Sequence, residues 1–154
     1  MKKTLIPFAI GALALTTAIL AAVPKPPKSS PLAGTWKLVS SKTISKGTTK
    51  YTFPVANQEM IKVFTNTQFS FFKHDLSKGK GENSVFDAGS GTYTLNGNVY
   101  KEHLAYCSAR EWENQDFSFT LTIKGDTLIQ KGIEKIESLG VNHEIVETYV
   151  RTGF

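Results

Sequence analysis

From Trp36 onward the chain is a succession of short runs rich in β-branched and aromatic residues, broken by turn signals and with no convincing helical period between them. That pattern limits the fold more than any other feature. It is cleanest in Phe117-Ser118-Phe119-Thr120-Leu121-Thr122-Ile123, where every second side chain is apolar and the rest are small and polar, so the strand has one dry face and one wet face. Eight such runs are predicted as strands: Trp36 to Ile44, Glu59 to Thr65, Gln68 to His74, Gly91 to Leu95, Val99 to Cys107, Phe117 to Lys124, Thr127 to Ile136 and His143 to Arg151.

The connections alternate in length. Long ones (Ser45 to Gln58, Asp75 to Ser90, Ser108 to Asp116, Glu137 to Asn142) take turns with tight ones (Asn66-Thr67, Asn96 to Asn98, Gly125-Asp126). In an up-and-down meander successive connections fall at opposite ends of the sheet, so the tight turns make a floor and the long loops a mouth. An open sheet of this size exposes two hydrogen-bonding edges, which closure removes. The expected fold is therefore all-β, an eight-stranded up-and-down antiparallel β-barrel. A two-sheet sandwich, the alternative, needs connections that cross between sheets, and the tight turns do not supply them.

The N-terminal segment is of a different kind. Met1 to Ala22 reads as a signal peptide, with Lys2 and Lys3 ahead of an apolar stretch and Leu20-Ala21-Ala22 as a cleavage site; a retained membrane anchor is the alternative. Val23 to Pro31 is rich in proline and lysine and reads as a flexible tail, leaving Leu32 to Phe154 as one barrel domain. Export to the periplasm or outside a bacterial cell follows from this reading, with no stable membrane span once the leader is removed. The formal net charge is +5, but Lys2, Lys3, Lys25 and Lys28 hold most of it. The barrel segment keeps 14 basic against 13 acidic side chains, which is no footprint for nucleic acid. Cys107 is the only cysteine, so no internal disulfide forms and the thiol reads as a small buried hydrophobe. His74, His103 and His143 lack metal-ligand spacing, no cofactor motif is present, and the chain is expected to be a monomer.

Trp36 opens the first run and Arg151 closes the last; in a closed meander both fall at the floor, where a guanidinium stacks on the indole face. Leu32-Ala33-Gly34-Thr35-Trp36-Lys37-Leu38 resembles the Gly-x-Trp motif of lipocalins and other calycins, and Glu147-Thr148-Tyr149-Val150-Arg151 resembles their closing strand. Ile61 to Thr65 with Phe69 to Phe71, Gly91 to Glu102, and Gly125 to Leu128 extend the similarity to a set of small bacterial exported lipocalin-like domains of uncharacterised function. The resemblance implies a barrel with room for a small molecule and carries no established activity.

If Trp36 and Arg151 face inward, alternation sends His143, Ile145, Glu147 and Tyr149 inward as well. On the fifth predicted strand the aromatic-rich face, Tyr100-Glu102-Leu104-Tyr106, is taken as interior. Tyr100, Glu102, Tyr106, Glu147 and Tyr149 are the candidate ligand-binding residues, with Trp36 and Arg151 as structural floor and no catalytic or metal residue assigned. Consecutive Phe71 and Phe72 face opposite ways, so one is exterior. The mouth loops carry Lys46, Lys50, Lys78 and Lys80, which reads either as a solvated lysine-rich surface or as a rim that steers a ligand with an anionic head. The expected function is non-catalytic binding of a small apolar or amphipathic molecule. Two alternatives are a solid barrel acting as an interaction or envelope-stress module, and a barrel isomerase or cyclase built on Glu102, Glu147 and a tyrosine.

Overall fold

The computed structural model describes residues 29–82 and 84–153. The predicted leader and most of the predicted tail lie outside the described residues. The chain folds into nine strands: β1 (Gly34–Ser45), β2 (Thr48–Phe53), β3 (Gln58–Phe64), β4 (Gln68–Asp75), β5 (Phe86–Asn96), β6 (Val99–Cys107), β7 (Gln115–Lys124), β8 (Thr127–Ile136) and β9 (Val141–Thr152). Each of β3 to β9 pairs antiparallel with its neighbour in sequence, β3 and β9 both pair with β1, and the eight strands close into a barrel. Short 3₁₀ turns at Arg110–Trp112 and Glu137–Leu139 interrupt two of the mouth loops.

The additional strand is β2. It continues the pairing edge of β1 beyond the stretch used by β3, with Ser45 opposite Thr48 across a two-residue turn. Lys46 and Gly47 in that turn have φ of 48° and 78°, the left-handed pair that a tight hairpin requires. The segment predicted as a long mouth loop is thus mostly a hairpin arm outside the barrel. Similarly, β5 begins at Phe86, well before the predicted Gly91, which shortens the second mouth loop.

The core follows from the alternation. Phe117, Phe119 and Leu121 are buried while Ser118, Thr120 and Thr122 are exposed. Towards the floor the interior is a continuous aromatic mass: Phe64 meets Tyr93 edge-on with centroids 5.5 Å apart, Tyr93 meets Tyr100 at 5.4 Å, and Tyr100 stacks near Phe119 at 6.3 Å. Trp36 lies opposite Arg151 in the β1–β9 register, and the Arg151 guanidinium carbon stands 4.1 Å from the indole centroid. Arg151 also donates to the backbone carbonyls of Ala33 and Pro31, and the Trp36 indole N–H donates to the Leu32 carbonyl at 2.8 Å. Gly34 is forced by this arrangement: its φ is 123°, and a Cβ there would stand 3.0 Å from Arg151 Nη1.

Two residues of the predicted tail belong to the floor. The Tyr93 hydroxyl donates to the Thr65 carbonyl at 2.7 Å and meets the Ser30 hydroxyl at 2.8 Å, and Pro31 supplies one of the carbonyls that Arg151 holds.

One irregularity reorders the candidate site. Gly91 pairs with Leu104 but Ser90 pairs with Tyr106, so Ala105 is an extra, bulged residue in β6. The bulge inverts the alternation beyond Leu104. Tyr106, expected inside, points outward and is 71% exposed, while Cys107 turns in to pack against the core. Gly91 permits the close approach: a Cβ at that position would meet the His103 carbonyl oxygen at 1.8 Å.

Candidate functional site

Above the aromatic mass the barrel is hollow. A cavity of about 340 Å³ opens in its mouth half, bounded by Met60 and Lys62 of β3, Phe71 of β4, Glu102, Leu104 and Cys107 of β6, and Phe117 of β7. Gln130 and Glu134 of β8 and Glu147 and Tyr149 of β9 form the opposite wall, and Asp87, Ala109 and Trp112 come from the mouth. Volumes of about 300–1,000 Å³ are usual for small-molecule sites. The apolar side is aromatic, with the Trp112 and Phe117 rings 6.2 Å apart.

The polar side is organised around one buried cation. Lys62 is only 4% exposed, and its Nζ donates to Glu102 Oε2 at 2.9 Å and to Gln130 Oε1 at 3.3 Å. The rings of Phe69, Tyr100 and Phe64 surround the ammonium at 4.8, 5.3 and 5.5 Å. Tyr100 donates its hydroxyl to the same Glu102 oxygen at 2.6 Å. Glu102 and Lys62 therefore form a closed pair.

Glu147 and Glu134 have weaker company. The Tyr149 hydroxyl donates to Glu147 Oε2 at 2.7 Å. Burial pushes the Glu147 carboxyl above its ordinary range despite the nearby Lys62 charge. Glu134 is also pushed up, by burial first and then by the Glu147 charge, against a 3.0 Å contact with His143 Nε2 that favours the carboxylate. Burial, reinforced by the neighbouring glutamates, raises the Tyr100 and Tyr149 hydroxyls far above their usual values, so both remain protonated donors. Burial likewise raises the Cys107 thiol, which leaves it a poor nucleophile against the cavity wall.

Of the residues singled out in the sequence, Glu102, Glu147 and Tyr149 line this cavity and Tyr106 does not. Tyr100 lies fully buried beneath the Lys62–Glu102 pair and acts on the cavity through it. Phe71 is the inward member of its pair and Phe72, 41% exposed, the outward one. Lys62, Gln130, Glu134 and Trp112 were not singled out. Lys62 stands opposite the inward Trp36 in the β1–β3 register and so shares its face, a signal that appears only once the two strands are paired. Glu134 had none, since Ile129 and Ile133 on the outer face of β8 make both faces of that strand look apolar.

Residues 32–129 match the model of the lipocalin-like domain. The chain belongs to this family. Among solved structures, this lipocalin-like domain is similar to a lipocalin-like protein from Bacteroides uniformis, at 14% identity and a TM-score of 0.48 over 79% of this chain and 98% of that one. A second, an uncharacterized protein from Bacteroides eggerthii, is 11% identical with a TM-score of 0.46 over 79% of this chain and 99% of its own. No curated protein matches the chain. Among the described residues no helix is long and apolar enough to cross a membrane, and no group of three or more His, Cys, Asp or Glu is placed to hold a metal ion.

Proposed function

We propose that this lipocalin-like domain is a non-catalytic binding protein that holds one small amphipathic molecule in the mouth half of its barrel. The observation that carries the reading is the two-sided cavity: Phe71, Leu104, Trp112 and Phe117 offer an apolar surface, and Glu147, Glu134 and Gln130 face it with polar groups. The ligand enters between the long loops, and the Trp36–Arg151 floor plays no part in contact. The protein works as a monomer after export, a proposal supported by the Met1 to Ala22 pattern and by closure of the barrel.

Filling the cavity tests the proposal. The Leu104→Trp variant should keep the β-sheet circular dichroism signal and lose the small molecule that native mass spectrometry finds on the wild type. A wild type that carries no adduct from its own cells and binds no apolar probe would overturn it.

A further inference from the structure

The cavity's charge balance defines its occupant, given the reading above that it is occupied. Three inward carboxylates, Glu102, Glu134 and Glu147, share the interior with one lysine. Lys62 already donates to Glu102 and Gln130 and is enclosed by aromatic rings, so its charge is largely answered within the protein before a ligand enters. Glu147 receives one tyrosine hydroxyl and Glu134 meets one half-buried imidazole. An anionic headgroup entering here meets two carboxylates without a dedicated cation; a neutral one removes water from them without replacing its contribution.

Gln130 adds a requirement beside the charge. Gln130 is 2% exposed and lines the cavity, and because Lys62 takes its carbonyl oxygen, its amide nitrogen is the end of the side chain that faces a ligand as a donor.

We infer that the cavity takes a cationic amphiphile: a protonated amine on a compact apolar or aromatic body, its ammonium directed at Glu147 and Glu134 and its body laid against Phe71, Trp112 and Phe117. An oxygen near the amine, a hydroxyl or carbonyl, accepts from the Gln130 amide. The aromatic walls suit this ligand twice, since they bury its body and present electron-rich faces to its charge. The rim lysines do not oppose it. Lys46, Lys50, Lys78 and Lys80 are all exposed, and their charge is screened over roughly 8 Å at physiological salt. Asp87 stands on the cavity side of the mouth.

Isothermal titration with a matched series, phenylbutylamine, phenylbutanol and phenylbutyrate, separates the headgroup from the body. The amine should bind about tenfold or more tighter than the alcohol, and the carboxylate weakest. Glu147→Gln, and independently Glu134→Gln, should bring the amine down towards the alcohol's affinity while leaving the alcohol within roughly twofold of wild type. Equal binding of amine and alcohol, or tightest binding of the carboxylate, would overturn the inference and leave the cavity reading standing. If none of the three binds to protein that circular dichroism shows folded, both fall together.

Discussion

The floor and the mouth of this barrel are built from the same strands and differ in how their polar groups are answered. At the floor, Arg151 has the Trp36 face and two carbonyls, the indole N–H has Leu32, and Tyr93 has Thr65 and Ser30. In the mouth half, Lys62 and Glu102 neutralise each other while Glu134 and Glu147 share a hollow with no lysine or arginine bonded to them among the described residues. A complete polar network fixes a fold, and an incomplete one beside a cavity leaves a place for something else. The difference separates the residues that hold the barrel from those available to a ligand.

Substitutions at the two ends should therefore fail in different ways. Trp36→Ala should have the largest effect, a loss of about 3–5 kcal/mol in chemical denaturation from removing a fully buried indole and the face on which Arg151 rests. Lys62→Met should cost about 3 kcal/mol by leaving Glu102 buried without its cation, and adding Glu102→Gln should recover much of that. Full additivity in that double mutant would break the claim that the two form a closed pair. Gly34→Ala should cost about 2 kcal/mol, since alanine must adopt a positive φ and crowd Arg151.

The smallest expected effect has the opposite sign. Glu147→Gln should stabilise the free protein at neutral pH, because burial raises the folded-state carboxyl above its unfolded value. Protonated Glu147 resembles glutamine, so the stability contribution of the wild-type residue is fully present below the unfolded glutamate pKa and is lost as pH rises through the folded one. The variant's thermal advantage should accordingly be greatest near pH 7 and shrink on acidification. Asp75, at the edge of the same mouth, provides the contrast. It accepts from the Ser77 hydroxyl and the Gly79 and Val85 amides, which hold its pKa at about 2. Its contribution is present above the ordinary aspartate range and is lost only as pH falls towards 2. Asp75→Asn should loosen the β4–β5 loop at neutral pH, read as faster amide exchange at Gly79 and Val85.

The floor was legible in the sequence because both of its signals, Gly34-x-Trp36 and Arg151, lie at strand ends where the alternation is unambiguous. Loop lengths placed them correctly at the closed end. The mouth was legible only in part. Glu147 and Tyr149 follow from counting residues by twos from Arg151, and Glu102 from choosing the aromatic-rich face of its strand; that choice misplaces Tyr106, since one bulged residue at Ala105 reverses every face beyond it. Gly91, which opens the predicted strand and falls inside β5, marks the close approach of the bulged strand. The arm β2 gives little sign of itself in the sequence, because its Lys46-Gly47 turn lacks the Asn-Gly or Asp-Gly pair that usually marks such hairpins. Lys62 depended on pairing β1 with β3, information that lies in register and not in either strand alone.

The most direct test of the division between floor and mouth is amide chemical-shift mapping by NMR while phenylbutylamine is titrated into the protein. Shifts should concentrate at Lys62, Leu104, Trp112, Gln130, Glu134 and Glu147, with Trp36, Tyr93 and Arg151 nearly unmoved. Perturbations centred on the floor or on the outer face around Phe72 and Tyr106, with the cavity residues silent, would contradict the account.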